Sequence, residues 1–348
     1  MSLKTNLKEA VFQAARLSGA NALARGANRQ KLLVLGYHGV VAEEHNASGY
    51  MASIDSYMHR NAISVTRFRR QMELLARLFH PVSATDLIEW LDGVRPLPSH
   101  PVLVTFDDGY QNNLDHAAPE LEKLGIPALF NVATGYIGHD RPLWPMEFDS
   151  LVFQWTAPEF PLPEGGELPL PADARERIPL AERLRNRCKR LPDQQRRSYL
   201  SRLRETQPLV EDSIDRELVA FMDWDGVRRL ADCGFCIGAH TVSHPILTRL
   251  SAEDLKRELA ESKQAIESET GRACPWFTYP NGGVDDFSPQ VAAAVRDAGY
   301  RVGFSLTRKL HTRLLPEFEI GRFCITADAS DAEFQAVISG LSRHLRFN

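Results

Sequence analysis

Residues 102–110 read Val102-Leu103-Val104-Thr105-Phe106-Asp107-Asp108-Gly109-Tyr110, an apolar run that stops on two adjacent acids and a glycine. Val102 to Phe106 has the length and β-branched character of a buried strand. Two carboxylates where such a strand ends are costly unless a positive group sits between or beside them. Neighbouring side chains on a strand diverge, so the two acids cannot share one task. One is placed to ligate a metal while the other faces a reacting water. Gly109 permits a tight turn away from the site.

Outward from this run, short apolar segments alternate with helical ones, the signature of an α/β domain. Upstream, Leu32–Tyr37 reads as a strand, and Val65–Phe79 and Ala84–Leu91 as helices. Downstream come a helix through Ala117–Lys123 and a strand at Ala128–Val132. The alternation resumes with a strand at Phe235–Ala239 and a helix that Ser251 and Asp254 open and Gly271 closes. Strands at Trp276–Tyr279, Arg301–Ser305 and Ile320–Ile325 follow, with helices at Pro289–Ala298 and Asp331–Leu345.

Between these halves, residues 145–222 break the pattern. Pro158, Pro161, Pro163, Pro169 and Pro171 surround Gly165-Gly166, which is loop chemistry. Leu180 to Arg204 is a helical stretch containing Arg183, Arg185, Arg187, Lys189, Arg190, Arg196 and Arg197. It reads either as a cationic face for an anionic substrate or membrane, or as a solvated helix face. We read residues 31–348 as one domain carrying 145–222 as an insertion. Residues 1–30 precede it with an amphipathic helix from Thr5 to about Leu23, on which Leu7, Val11, Ala14 and Ala15 share a face. Packing on its own domain is the expectation for this helix; peripheral contact with an anionic membrane is the second reading.

Composition narrows the function classes. The 348 residues include 45 acidic and 41 basic side chains, a net charge of -4, which argues against a nucleic-acid binder. The five cysteines do not suggest a disulfide framework, and Cys233-x-x-Cys236 reads as small buried side chains. No apolar stretch is long enough to span a membrane, and Lys4, Lys8, Glu9, Gln13 and Arg16 interrupt any signal-peptide core, so a cytoplasmic location is expected.

A second chemical constellation follows the strand at Phe235–Ala239: His240-Thr241-Val242-Ser243-His244. Histidines four residues apart reach one metal if the segment is helical or tightly turned. With one aspartate they form a two-His, one-carboxylate set that leaves positions open for water and substrate. Such a metal polarises a carbonyl and acidifies water.

The order Thr105-Phe106-Asp107-Asp108-Gly109, then His240-Thr241-x-x-His244, then Phe277-Thr278-Tyr279-Pro280-Asn281-Gly282 resembles the polysaccharide deacetylases of carbohydrate esterase family 4, which share the NodB homology domain. Leu35-Gly36-Tyr37-His38, Gly125-Ile126-Pro127-Ala128 and Glu261-Ser262-Lys263 add to the likeness, which runs from about Leu33 to Phe323 with 145–222 matching poorly. The resemblance implies a distorted (β/α)7 barrel with a helical insertion, its site at the strand C-termini. It implies Asp107 as general base and Asp108, His240 and His244 as ligands of a divalent metal, zinc by default, with other first-row ions able to serve. It implies an oxyanion donor at Asn281, or at Tyr279 if the loop register differs.

Two departures from the family pattern concern residues around the base and the acid. Thr278 stands where many members carry an arginine that orients the base; Arg322 either takes that role or is a surface side chain. The family's late Leu-x-His motif is not evident, and His311 is out of register. His38, ending the first strand, is the candidate general acid, with a core histidine bonded to backbone as the bland alternative. The reading is a hydrolase that removes an acetyl group from the nitrogen of an amino sugar in a polysaccharide or surface-glycan precursor. The alternatives are a deformylase or amidase on another amide, and a glycan-binding protein on the same scaffold.

Overall fold

Eight short parallel strands form a nearly closed barrel in the computed structural model of the chain, which describes residues 3–42, 61–209 and 216–342. They are β1 (Leu33–Tyr37), β2 (Pro101–Phe106), β3 (Ala128–Val132), β4 (Cys236–Ala239), β5 (Trp276–Thr278), β6 (Val302–Ser305), β7 (Ile320–Gly321) and β8 (Phe323–Cys324). The last two are one stretch interrupted at Arg322. Gly321 pairs with Ser305 on β6, and Phe323 pairs with Leu35 on β1, so this stretch joins the sixth strand to the first. Counted as staves the barrel has seven, as the resemblance implies. His80–Pro81 adds a two-residue strand beside the start of β2.

The two-residue period of the strands sorts their side chains. Leu33, Leu35, Tyr37, Val104, Phe106, Phe130 and Phe277 pack outward under helices such as Val65–Leu78 and Ala252–Thr270. Val34, Leu103, Leu129, Trp276, Phe304 and Ile320 fill the inside, closed at one end by the helix Ala84–Leu91, whose Ala84 carbonyl accepts from Trp276 Nε1 at 3.0 Å. One step further along the same inward parity come Gly36, Thr105, Asn131, Gly238, Thr278 and Arg322. This layer is small and polar, and it carries the candidate site.

Helix ends follow the sequence signals closely at some places. Ser251 Oγ accepts from the Asp254 N–H at 3.1 Å, and Gly271 ends that helix with φ 66°. Elsewhere the structure differs from the expectation. A π-helical turn, Asn113–Ala117, precedes the expected helix, which runs Ala118–Leu124. The closing helix spans Asp331–Ser339, because Gly340 takes φ 80°; positions 343–345 of the expected helix lie outside the described residues.

At the N-terminus one expected helix becomes two, α1 (Leu3–Leu17) and α2 (Ala20–Ala27), divided where Gly19 turns left-handed at φ 78°. The buried face is also not the expected one. Phe12 and Ala15 are buried, with Phe12 packing on Ala332 and Ala336 of the closing helix, while Leu7 is 62% exposed. Cys233 is exposed and Cys236 half-buried, because Cys233 falls in the turn that follows the helix Trp224–Asp232 rather than in a packed layer.

Within 145–222, whose positions 210–215 lie outside the described residues, the chain builds a second core. Helices Trp144–Gln154, Ala174–Cys188 and Asp193–Thr206 and the hairpin of Glu159–Pro161 with Glu167–Pro169 bury Phe148, Leu151, Phe160, Leu184, Tyr199 and Leu203 together. Two of the arginines expected on a cationic or solvated face point into it. Arg185 pairs with Asp149 and Arg196 with Asp193, and all four side chains are buried. A buried charge persists only when paired, and here each has its counter-ion inside the same unit. Arg187, Arg197 and Arg204 are likewise matched to Glu164, Asp193 and Glu147.

Candidate active site

Strand register assembles the site. Tyr37 pairs with Phe106, and Phe106 with Phe130, so the next residues on β1, β2 and β3 are His38, Asp107 and Asn131. Val132 pairs with Ala239, which sets His240 one step past β4. All of these lie at the C-terminal ends of the strands.

Asp107 is 3% exposed and clamped by Arg322, which is 1% exposed. Arg322 Nη1 donates to Asp107 Oδ1 at 2.8 Å and Nη2 to Oδ2 at 2.7 Å, a bidentate pair. Nη1 also donates to Thr105 Oγ1 at 2.9 Å, and Asn131 Nδ2 donates to Asp107 Oδ1 at 3.0 Å. A Cβ at Gly36 would stand 3.6 Å from Arg322 Nη1 and 3.0 Å from Cys324 Sγ, so the bare glycine leaves the guanidinium its path across the barrel. Burial pushes the Asp107 carboxyl up, but the Arg322 charge and hydrogen bonds bring it down to about 2. Of the two readings of Arg322, the surface one is excluded.

Asp108 lies in different surroundings. Its Oδ1 is 3.4 Å from both His240 Nε2 and His244 Nε2, and candidate ligand atoms of the three buried residues all lie within 4.8 Å of one another. His240 Nδ1 is held by the Thr278 carbonyl at 2.8 Å, which turns Nε2 toward Asp108. Both Asp108 oxygens are buried without a hydrogen-bond partner. A buried carboxylate left so is costly, and a cation among the three residues removes that cost, so the donor set fits a metal. Burial works to raise the Asp108 carboxyl, yet the facing imidazoles hold it well below the usual range. Burial lowers His244, whereas His240 is carried up against burial by Asp108 and Asp107.

The backbone here is strained. Asp108 (φ 76°), Thr241 (φ 68°), His244 (φ 54°) and Asn281 (φ 61°) adopt left-handed conformations that non-glycine residues rarely take. For Asp108 this conformation turns its side chain away from that of Asp107. For the histidine segment it makes the tight turn that sequence spacing requires.

The remaining expected residues divide. His38 is half-buried, its Nδ1 has no hydrogen-bond partner, and its positive charge would lower both Asp107 and Asp108, which places it beside the acid pair. Asn281 turns above β5 with its buried Nδ2 unpartnered. Tyr279 is excluded as a donor toward substrate, because its N–H is bound to the Phe304 carbonyl at 3.0 Å and its hydroxyl to the Phe318 carbonyl at 2.9 Å. His311 sits at the foot of β1, exchanging backbone bonds with Leu32.

Sequence reading missed the residues that hold the site from behind. Glu258 accepts from Val242 N at 2.8 Å, Ser243 N at 2.9 Å and Ser243 Oγ at 2.6 Å, fixing the turn between the histidines. Trp144 Nε1 donates to the His244 carbonyl at 3.1 Å, and the Arg196 guanidinium lies 4.2 Å above the Trp144 ring. The inserted unit thus touches the histidine turn. A signal existed for Glu258 only as an acid one helical face away from the motif, which no spacing rule selects.

Known proteins resemble part of the sequence, and others share the fold. Residues 194–303 match the family described as polysaccharide deacetylase. An uncharacterized 30.6 kDa protein of Geobacillus stearothermophilus, from the fumA 3' region, is 32% identical over 77 residues, a match covering 22% of this chain and 28% of that protein. The fold resembles the Streptococcus pyogenes deacetylase PplD in complex with acetate (TM-score 0.56, 15% identity, 89% of this chain and 99% of that one). It also resembles IcaB from Ammonifex degensii (TM-score 0.54, 19% identity, 90% and 97%) and a de-N-acetylase from Aggregatibacter actinomycetemcomitans (TM-score 0.56, 18% identity, 88% and 99%). The sequence likeness to polysaccharide deacetylases thus covers residues 194–303, and the barrel is a fold shared with solved deacetylases.

Proposed function

We propose that the chain is a metal-dependent hydrolase that removes an acetyl group from the nitrogen of an amino sugar in an N-acetylated saccharide. The observation that carries this is the contrast between the two acids: Asp107 locked by Arg322, and Asp108 facing two histidines with both oxygens unpartnered. Asp108, His240 and His244 would hold the ion, zinc being the default for such a nitrogen and oxygen donor set. When bound there, it supplies Lewis-acid polarisation of the amide carbonyl and a more acidic water.

The chain's own residues do the rest. Asp107 receives the proton of the attacking water, and Arg322, Asn131 and Thr105 keep its carboxylate aimed. Asn281 at the β5 turn is the donor for the oxyanion as the carbonyl carbon becomes tetrahedral. His38, across from Asp107 on the neighbouring strand, gives a proton to the leaving sugar amine. Asp107 and His38, on neighbouring strands, place a proton acceptor and a candidate donor at the same barrel end.

The test is metal content together with amine release from an N-acetylated oligosaccharide. Chelation should abolish release and added zinc restore it. His244→Ala should lose metal and activity together while the melting transition persists. Stoichiometric metal in that variant would refute the ligand set.

A further inference from the structure

α1 buries Phe12 and Ala15 against the closing helix and turns the opposite side to solvent. That side consists of Leu7, Ala10, Ala14 and Leu17, spaced i, i+3, i+7 and i+10, and all four are exposed. A helix that has already met its own domain usually shows polar residues outward; this one shows none along the stripe. Leu7 is 62% exposed and Leu17 85%. α2 also leaves Ala22, Leu23, Gly26 and Ala27 exposed, Leu23 at 77%.

Charge points to what covers it. The first 31 residues hold six basic side chains and one acid, in a chain whose net charge is -4. The acid, Glu9, is turned aside to Gln13 and Ser330, and Lys8 pairs with Glu333. Arg16 and Arg29 stay exposed. An exposed apolar side on a segment with a cationic excess complements a lipid surface with anionic headgroups, on which such helices lie flat.

We propose that α1 and α2 form a docking face that seats the protein on an anionic membrane surface. Leu7, Leu17 and Leu23 enter the boundary between headgroups and chains, and Arg16 and Arg29 meet the headgroup phosphates. Among the described residues no helix is long and apolar enough to cross a membrane, so attachment through this face is peripheral.

The test is co-sedimentation of the full chain with vesicles of phosphatidylcholine alone or mixed with phosphatidylglycerol. Binding should require the anionic lipid and weaken with salt. Replacing Leu7, Leu17 and Leu23 together by Ser should weaken it about tenfold or more, and Arg16→Glu roughly fivefold or more. These exposed changes should leave the melting transition unmoved, which separates lost docking from lost folding. Three results would overturn the proposal: no sedimentation with anionic vesicles, equal sedimentation with neutral ones, or a dimer in solution that the Ser variant dissolves, which would assign the face to a second copy. The readout is independent of deacetylation, so the proposal and the catalytic reading fail separately.

Discussion

Asp107 and Asp108 are adjacent and identical in type, yet opposite in surroundings. Asp107 meets a guanidinium, whereas Asp108 meets two imidazoles. Asp107→Asn keeps the shape and should preserve metal content while slowing turnover by ~10²–10⁴; near-normal rates would assign the base to another group. The Asp107 pair also links stability to acid. Its carboxyl is lowered from 3.8 to about 2, so its stabilising contribution is complete above the ordinary value and lost as pH falls through about 2. Arg322→Met strands a buried carboxylate and should cost about 3–5 kcal/mol at neutral pH in chemical denaturation. Adding Asp107→Asn should return part of that loss, and an additive double variant would contradict direct pairing. Glu258→Ala leaves three donors in the histidine turn without their acceptor. It should weaken metal binding by ~10–100-fold in chelator competition; unchanged affinity would make Glu258 a mere packing residue. Of these residues the acids and histidines were legible because each motif is local in sequence. Glu258 and Asn131 were not, since their roles exist only after strand and helix pairing. Arg322 was legible solely through family likeness.

At the level of elements, the sequence reveals most strands because each is a short apolar run bounded by turn residues. What it misses follows from tertiary demands. One helix expected through Thr5–Leu23 is split by Gly19, and its buried face is chosen by the closing helix rather than by its own apolar periodicity. The strand expected at Ile320–Ile325 is interrupted at Arg322, whose backbone N–H turns to the Ser305 carbonyl at 3.1 Å. The same stretch gives a sharp prediction. A Cβ on Gly321 would lie 1.8 Å from the Thr307 carbonyl oxygen, a backbone atom that cannot swing aside. Gly321→Ala should therefore destabilise by about 1–3 kcal/mol or more, with a lower melting temperature and reduced activity together. A wild-type transition in that variant would mean that the loop after β6 has room the packing does not show.

Over the whole molecule, two cores meet at the histidine turn. The inserted unit has its own apolar cluster, and Ile246, just past His244, belongs to it. Its basic helices read as either a binding face or a solvated one because sequence alone gives charge but not partners; Asp149 and Asp193 take Arg185 and Arg196 inside. Arg185→Ala leaves Asp149 buried and unpaired, so it should destabilise this unit by about 3–5 kcal/mol. Limited proteolysis should then cut first within residues 145–209 while the barrel survives as a resistant fragment. Simultaneous loss of both would show that the units fold as one.

Closure of the barrel through Arg322 also imposes an order in time. Asp107 and the guanidinium that meets it are 215 positions apart, so during synthesis the acid pair leaves the ribosome long before its counter-charge exists. Every nascent form that lacks the final stave holds two neighbouring carboxylates with no arginine between strands to keep them together, and a strand end that repels itself has little reason to pack. The step that seals the scaffold is thus the same step that fixes the Asp107 carboxylate, and an unfinished chain has neither.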